Sequence, residues 1–347
     1  MALNLFGGKK DPGAEDNSKL ADSIVRDFKL REVCPDPPRA LGKGELALET
    51  NVAQLVDNVE RLISEPGFDL PMLPTIALKL MELLQNPDVA PRQIGEMVLS
   101  DPVLAAKFLR MSNSAMWGGK VKIENVHTAV MRLGLGTIKN VVMAIALNGT
   151  VFKDKRLEKH AKKFWEHSIG CAAAAQGLAP IVGATMEGAF LAGLLHDIGK
   201  IPALLVVQKA VAQIKTTEPI RPEFVEGLIE AHHVRCGFAL LKHWTLPTDA
   251  RLAVGAHHAV NSMEQARAQV LIRMPESMPA DRSQLALNLA CVVLADKALG
   301  AIGWAEEPGD LKILGAPLAT DLGLNEIGAM EFLMALGDIL GEIISAL

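Results

Sequence analysis

Residues 186–200 read MEGAFLAGLLHDIGK. From Met186 to Leu195 the stretch carries one charged side chain, Glu187, among Ala, Leu, Phe and Gly, which predicts an apolar helix. His196 and Asp197 end it as adjacent neighbours, and Lys200 follows within one turn. The same helical texture continues on both sides. HAKKFWEHSIGCAAAAQGLA begins at His160, FVEGLIEAHHVRCGFALLKHW at Phe224, TDARLAVGAHH at Thr248 and SQLALNLACVVLADKALG at Ser283.

Upstream, Leu48, Val52, Leu55, Val59 and Leu62 recur every three or four residues, marking an amphipathic helix from Glu45 to Ser64. Ile76, Leu80, Leu83 and Leu84 form another stripe, stopped by Asn86-Pro87. Ser100-Asp101-Pro102 reads as a helix start, with a capping oxygen before a Pro whose missing N–H costs nothing at the first helical position. Val126 to Leu133 forms a further helix ended by Gly134, and Thr137 can cap the next. KDKRLEKHAKK, 153–163, reads as a charged connector and 305–318 as a loop. No alternating stretch bounded by turns demands a strand, so the predicted fold is all-α.

Half of the 347 residues are apolar, enough for one large or two modest cores. Aromatics make up 4% and tyrosine is absent, a mix that favours helices over sheets. The net charge of −5 argues against a broad phosphate-binding face, so nucleic acid is not an expected partner. Cys34, Cys171, Cys236 and Cys291 form no CxxC pair and fit reduced, packed thiols. No uninterrupted apolar run reaches the roughly 18 residues of a membrane span. The start of the chain does not read as a secretory signal. A cytoplasmic location without a membrane partner is the expectation.

The histidines are not scattered. Besides His196, His167 sits mid-helix beside Phe164 and Trp165, and His233 lies on the helix running to Trp244. His257 and His258 close another helix, and Asp296 interrupts the apolar run LACVVLADKAL. Imidazole and carboxylate suit divalent ions such as Fe, Mn and Zn. Neighbours at a helix end can reach two ions with Asp197 bridging, an arrangement able to activate water and clamp a phosphoryl oxygen.

The order H…HD…H…HH…D resembles the HD superfamily of metal-dependent phosphohydrolases. That resemblance implies metal ligation by His167, His196, Asp197, His233, His257, His258 and Asp296, with Fe, Mn or a similar divalent metal as cofactor. It makes Lys200 the cation that meets a phosphate oxygen, so that Asp197 and Lys200 are the catalytic pair if the protein is an enzyme. His232 is left out because the H-x-x-x-G spacing is met by His233 and Gly237. The HD-GYP phosphodiesterase branch is excluded: AVNSMEQAR follows the HH pair, and a chain without Tyr cannot hold Gly-Tyr-Pro. Lys163 stands where that branch carries a Glu.

The upstream half resembles the bacterial HDOD family, the HD-related output domains. LPMLPTIALKLMELLQNPD (70–88), LSDPVLAAKFLRMSNSAMWG (99–118) and NVHTAVMRLGLGTIKNVV (125–142) carry the likeness, together with GAFLAGLLHDIGK (188–200) and HHVRCGFALLKHWTLP (232–247). On this reading 1–45 is a flexible tail and 46–67 a helix. Residues 68–265 form a two-lobed HDOD domain, 68–153 and 154–265, and 266–347 are C-terminal helices.

The resemblance implies a stand-alone signal-transduction module, more a regulator than an enzyme, whose partner is a signalling protein or a nucleotide messenger. The alternative is a metal-dependent phosphohydrolase. The apolar terminal stretch EIGAMEFLMALGDILGEIISAL either packs on the chain's own core or joins two copies.

Overall fold

In a computed structural model of the chain, the described residues are 43–64, 71–151, 158–214, 222–273, 281–301, 317–324, Phe332 and Leu336, less 85, 87, 115–116, 118–120, 245 and 247. Among them no strand occurs, and the all-α expectation holds.

The first helix, α1 (Lys43–Ser64), buries Leu55, Val59 and Leu62, three of the five residues of the stripe read from the sequence. Then follow α2 (Thr75–Leu83), α3 (Pro91–Leu99) and α4 (Pro102–Ser112). The α4 start is the one expected: Asp101 Oδ1 accepts from Val103 N at 2.9 Å and Leu104 N at 3.0 Å, with Pro102 inside. Asn125 caps α5 (Val126–Ala146) by accepting from Thr128 N at 2.8 Å. Gly134, with φ 72° and ψ 165°, interrupts that helix as its position suggested, yet α5 resumes beyond it. Such a φ is open to glycine at no steric cost.

The second half comprises α6 (Glu158–Val182), α7 (Met186–Leu195), α8 (Lys200–Ala212), α9 (Pro222–Trp244), α10 (Thr248–Ala256), α11 (Met263–Arg273) and α12 (Arg282–Ala301), with a short α13 (Pro317–Asp321) after it. Two boundaries correct the sequence reading. The end of the charged connector, from Glu158, is already helical, and Pro317-Leu318 begins a helix rather than closing a loop. Lys162 and Glu166, 3.7 Å apart at (i, i+4), show how charged residues are carried on α6.

Helix α7 is the hub. It packs against α6, α10, α12 and α5, and every residue from Ala189 to Leu195 is buried. Contact with α6 is close because both faces are small. A β-carbon added at Gly193 would lie 2.8 Å from the Cys171 carbonyl and 2.9 Å from Ala172 Cα. The run Cys171–Ala175 is buried to match.

Two continuous helical stretches, Val126–Gly149 and Met186–Ala212, do reach the length and mean hydropathy (1.5 and 1.7) of a membrane span, although polar residues break each in sequence. Within the fold their most apolar windows are 56% and 100% buried, so the second serves as core. Of the C-terminal stretch only Phe332 and Leu336 are described. Leu336 is buried, and Phe332 packs half-buried against the core, its ring 3.3 Å from a β-carbon built at Gly177 of α6. The tail before Lys43 lies outside the described residues.

Candidate metal centre

Five separate segments deliver the predicted side chains to one place. His167 comes from α6, His196 and Asp197 from the turn after α7, and His233 from α9. His257 and His258 come from the 3-10 turn after α10, and Asp296 from α12. One ligand atom each from Asp197, His233, His257 and His258 lies within 4.8 Å of the others, and so do those of His167, His196 and Asp197. Asp197 belongs to both groups.

Its two oxygens divide the work. Oδ2 is 3.4 Å from His167 Nε2 and 3.5 Å from His196 Nε2. Oδ1 is 3.3 Å from His257 Nε2 and 3.5 Å from His233 Nε2. Asp296 Oδ1 joins the first side, 3.4 Å from His167 Nε2 and 4.0 Å from His196 Nε2. His258 Nε2 joins the second, 3.0 Å from His233 Nε2.

The backbone sets which nitrogen faces inward. His196 Nδ1 donates to the Gly193 carbonyl at 2.8 Å, His233 Nδ1 to Glu230 O at 2.6 Å and His257 Nδ1 to Ala253 O at 2.8 Å. With the proton held at Nδ1, a neutral ring turns its Nε2 lone pair into the cluster. Facing nitrogens then stand 3.3 Å apart at His167 and His196, and 3.4 Å apart at His233 and His257. At His233 and His257, both held with Nδ1–H on a backbone carbonyl, the facing lone pairs repel unless a proton or a metal cation lies between them. Asp197 Oδ1 is likewise buried without a hydrogen-bond donor, as is His167 Nδ1. This donor set, imidazole nitrogens around a bridging carboxylate, fits two divalent ions.

Electrostatics agree. Burial pushes His196 and His233 down to about 4, which keeps both rings neutral near neutrality, with a nitrogen lone pair not taken up by a proton. Burial opposes protonation of His167 and His257 too, but the facing carboxylates of Asp197 and Asp296 outweigh it and raise both. Asp197 is buried, which opposes its charge, yet the imidazole of His196 and the ammonium of Lys200 hold it well below the usual carboxylate range.

Lys200 stands where it was expected, its Nζ 2.8 Å from Asp197 Oδ2. His232 is turned away, its Nδ1 3.7 Å from Glu60, which justifies its omission. One residue was missed. Glu230, one turn before His233, places Oε2 at 3.2 Å from Lys200 Nζ and Oε1 at 3.3 Å from His258 Nε2. Its (i, i+3) spacing to His233 was the available signal.

Comparisons fit this geometry. Residues 70–260 match the sequence profile of the HDOD domain. A protein of Treponema pallidum, its function uncharacterized, is 25% identical over 222 residues, spanning 61% of this chain and 41% of its own length. Ribonuclease Y of Symbiobacterium thermophilum is 25% identical over 210 residues, spanning 60% of this chain and 32% of its own. The chain thus spans less than half the length of these curated relatives. Among solved structures, a candidate metal-dependent phosphohydrolase from Shewanella amazonensis aligns with a TM-score of 0.63 at 21% identity, covering 86% of this chain and 99% of that one. A candidate signal transduction protein from Marinobacter aquaeolei aligns with a TM-score of 0.56 at 22% identity, covering 86% and 65%. At these identities the likeness is one of fold.

Proposed function

The chain belongs to the HDOD domain family, and from that premise we propose that it is a metal-dependent phosphohydrolase-type protein acting on a phosphate ester. The observation that carries this reading is the inward convergence of imidazole Nε2 atoms on both oxygens of Asp197. His167, His196, Asp197 and Asp296 would hold one ion, and Asp197, His233, His257 and His258 the other. Bound there, the ions would supply Lewis acidity toward a phosphoryl group and acidify water. The chain itself does the rest. Asp197 fixes the spacing of the two halves, the Nδ1–H bonds to backbone carbonyls hold the rings of His196, His233 and His257 in their tautomer, and Lys200 brings a cation to the edge.

The test is metal content after expression in Mn- or Fe-supplemented medium, followed by turnover of a chromogenic phosphodiester and phosphomonoester. Two ions per chain and a rate lost in Asp197→Asn are the expected results. A folded protein that takes up no metal at saturating concentration would sink the reading.

A second reading, favoured by Glu230 lying on Lys200, is a regulatory module whose centre binds a phosphate-bearing nucleotide messenger, or whose surface binds a signalling protein, without turnover. It is distinguished by full metal occupancy with no hydrolysis.

A further inference from the structure

Glu230 is not explained by the ligand set. Its Oε2 lies 4.0 Å from His233 Nδ1, the ring nitrogen that faces away from the cluster because it donates to the Glu230 carbonyl. Oε2 therefore lies on the outer side of the His233 ring, while Oε1 reaches the Nε2 edge of His258. The Glu230 side chain is 46% exposed, whereas that of Lys200 is 11% exposed. Both of its oxygens are engaged, one with the Lys200 ammonium and one with His258.

Building on the metal-centre reading above, we propose that Glu230 is a specificity-determining residue, a carboxylate lying across Lys200 at the solvent side that sets which phosphate ligands reach the centre. An incoming phosphoryl oxygen seeking Lys200 meets a position already filled by a carboxylate oxygen at 3.2 Å, while Asp197 holds the same ammonium at 2.8 Å. Repulsion scales with the charge of the ligand, so a dianionic monoester suffers twice the penalty of a monoanionic diester. The favoured ligand class is the phosphodiester.

The experiment compares wild type with Glu230→Gln, both Mn-loaded, by calorimetric titration with inorganic phosphate and with dimethyl phosphate at a slightly alkaline pH. The substitution keeps shape and removes charge. Dimethyl phosphate binding is expected to tighten about threefold and phosphate binding about tenfold, since doubling the charge squares the ratio. Equal tightening of both, or none, overturns the proposal. Metal content is measured in parallel: unchanged occupancy is expected, and loss of an ion in Glu230→Gln would make Glu230 a ligand and overturn it. If wild type takes up no metal, the metal-centre reading falls by itself. The same titrations on metal-free protein then decide, because Lys200 and Glu230 face each other regardless. There the charge-dependent tightening supports the proposal, and its absence in both proteins overturns it.

Discussion

Gly199 has no room for a β-carbon. One built there would run into the backbone carbonyl of His233 and lie 2.6 Å from Gly237 N. The turn that presents His196, Asp197 and Lys200 thus rests directly on the backbone of α9, and the obstacle is main chain, which cannot swing aside. Gly199→Ala is expected to cost about 2–4 kcal/mol, read as a lowered denaturant midpoint. A wild-type midpoint would mean the turn can lift from α9 without penalty. The buried thiols make a second residue-scale prediction. Burial raises Cys236 and Cys291 to about 12 and Cys171 well above its ordinary value, so none carries thiolate at neutral pH. All three should resist a thiol reagent in the native protein and react on unfolding, as followed by labelling and peptide mass spectrometry. At this scale the converging His and Asp residues were legible because such side chains are rare at core-facing helix positions, and because their order carried a family resemblance. Glu230 was not: a Glu on a helix is ordinary, and only the fold brings it to Lys200.

Helix boundaries follow from local chemistry where a side chain reports it. Asp101 accepts from two backbone N–H groups at the start of α4, satisfying donors the helix leaves unpaired. Asp101→Ala is expected to cost about 1 kcal/mol in stability while leaving metal content intact, since α4 contributes none of the candidate ligands. A loss of metal alongside would show that the upstream helices shape the centre. The start of α4 was readable for the same reason, a capping carboxylate beside a proline. The start of α6 was not, because its first turns hold Lys and Glu, which suit a solvated helix face as well as a connector. The break at Gly134 was legible, and so was the helix beyond it, although the sequence placed its start at Thr137 and the structure joins the two across the kink. The resumed helix leans on tertiary contacts such as Asn140 Nδ2 donating to the Glu187 carbonyl at 3.0 Å.

Over the whole molecule, the centre ties together segments far apart in the chain, from α6 through to α12, with α7 packed among them. Pattern and propensity announced the helices but not which of them meet. That pairing came from the ordered His/Asp series, since repelling lone pairs and a buried orphan oxygen make sense only as a closed set. On the proposed reading metal and fold are linked. Ions held by five segments would bind the assembled protein and find no such site in the unfolded chain, so they would stabilise by mass action. At a free concentration about one hundred times Kd the gain is about 2.7 kcal/mol per site. For a chain of this size that raises Tm by about 4 °C per site. Chelation should reverse the shift, and Asp197→Asn, which removes the negative charge shared by both halves and replaces one of its two oxygens by an amide nitrogen, should abolish it. Asp296→Asn should remove only part, because Asp296 serves the His167–His196 side alone. Thermal unfolding of the three proteins with and without Mn orders them as wild type, Asp296→Asn, Asp197→Asn. Identical shifts in all three would mean that the ions bind elsewhere, and that the convergence on Asp197 is packing without ligation.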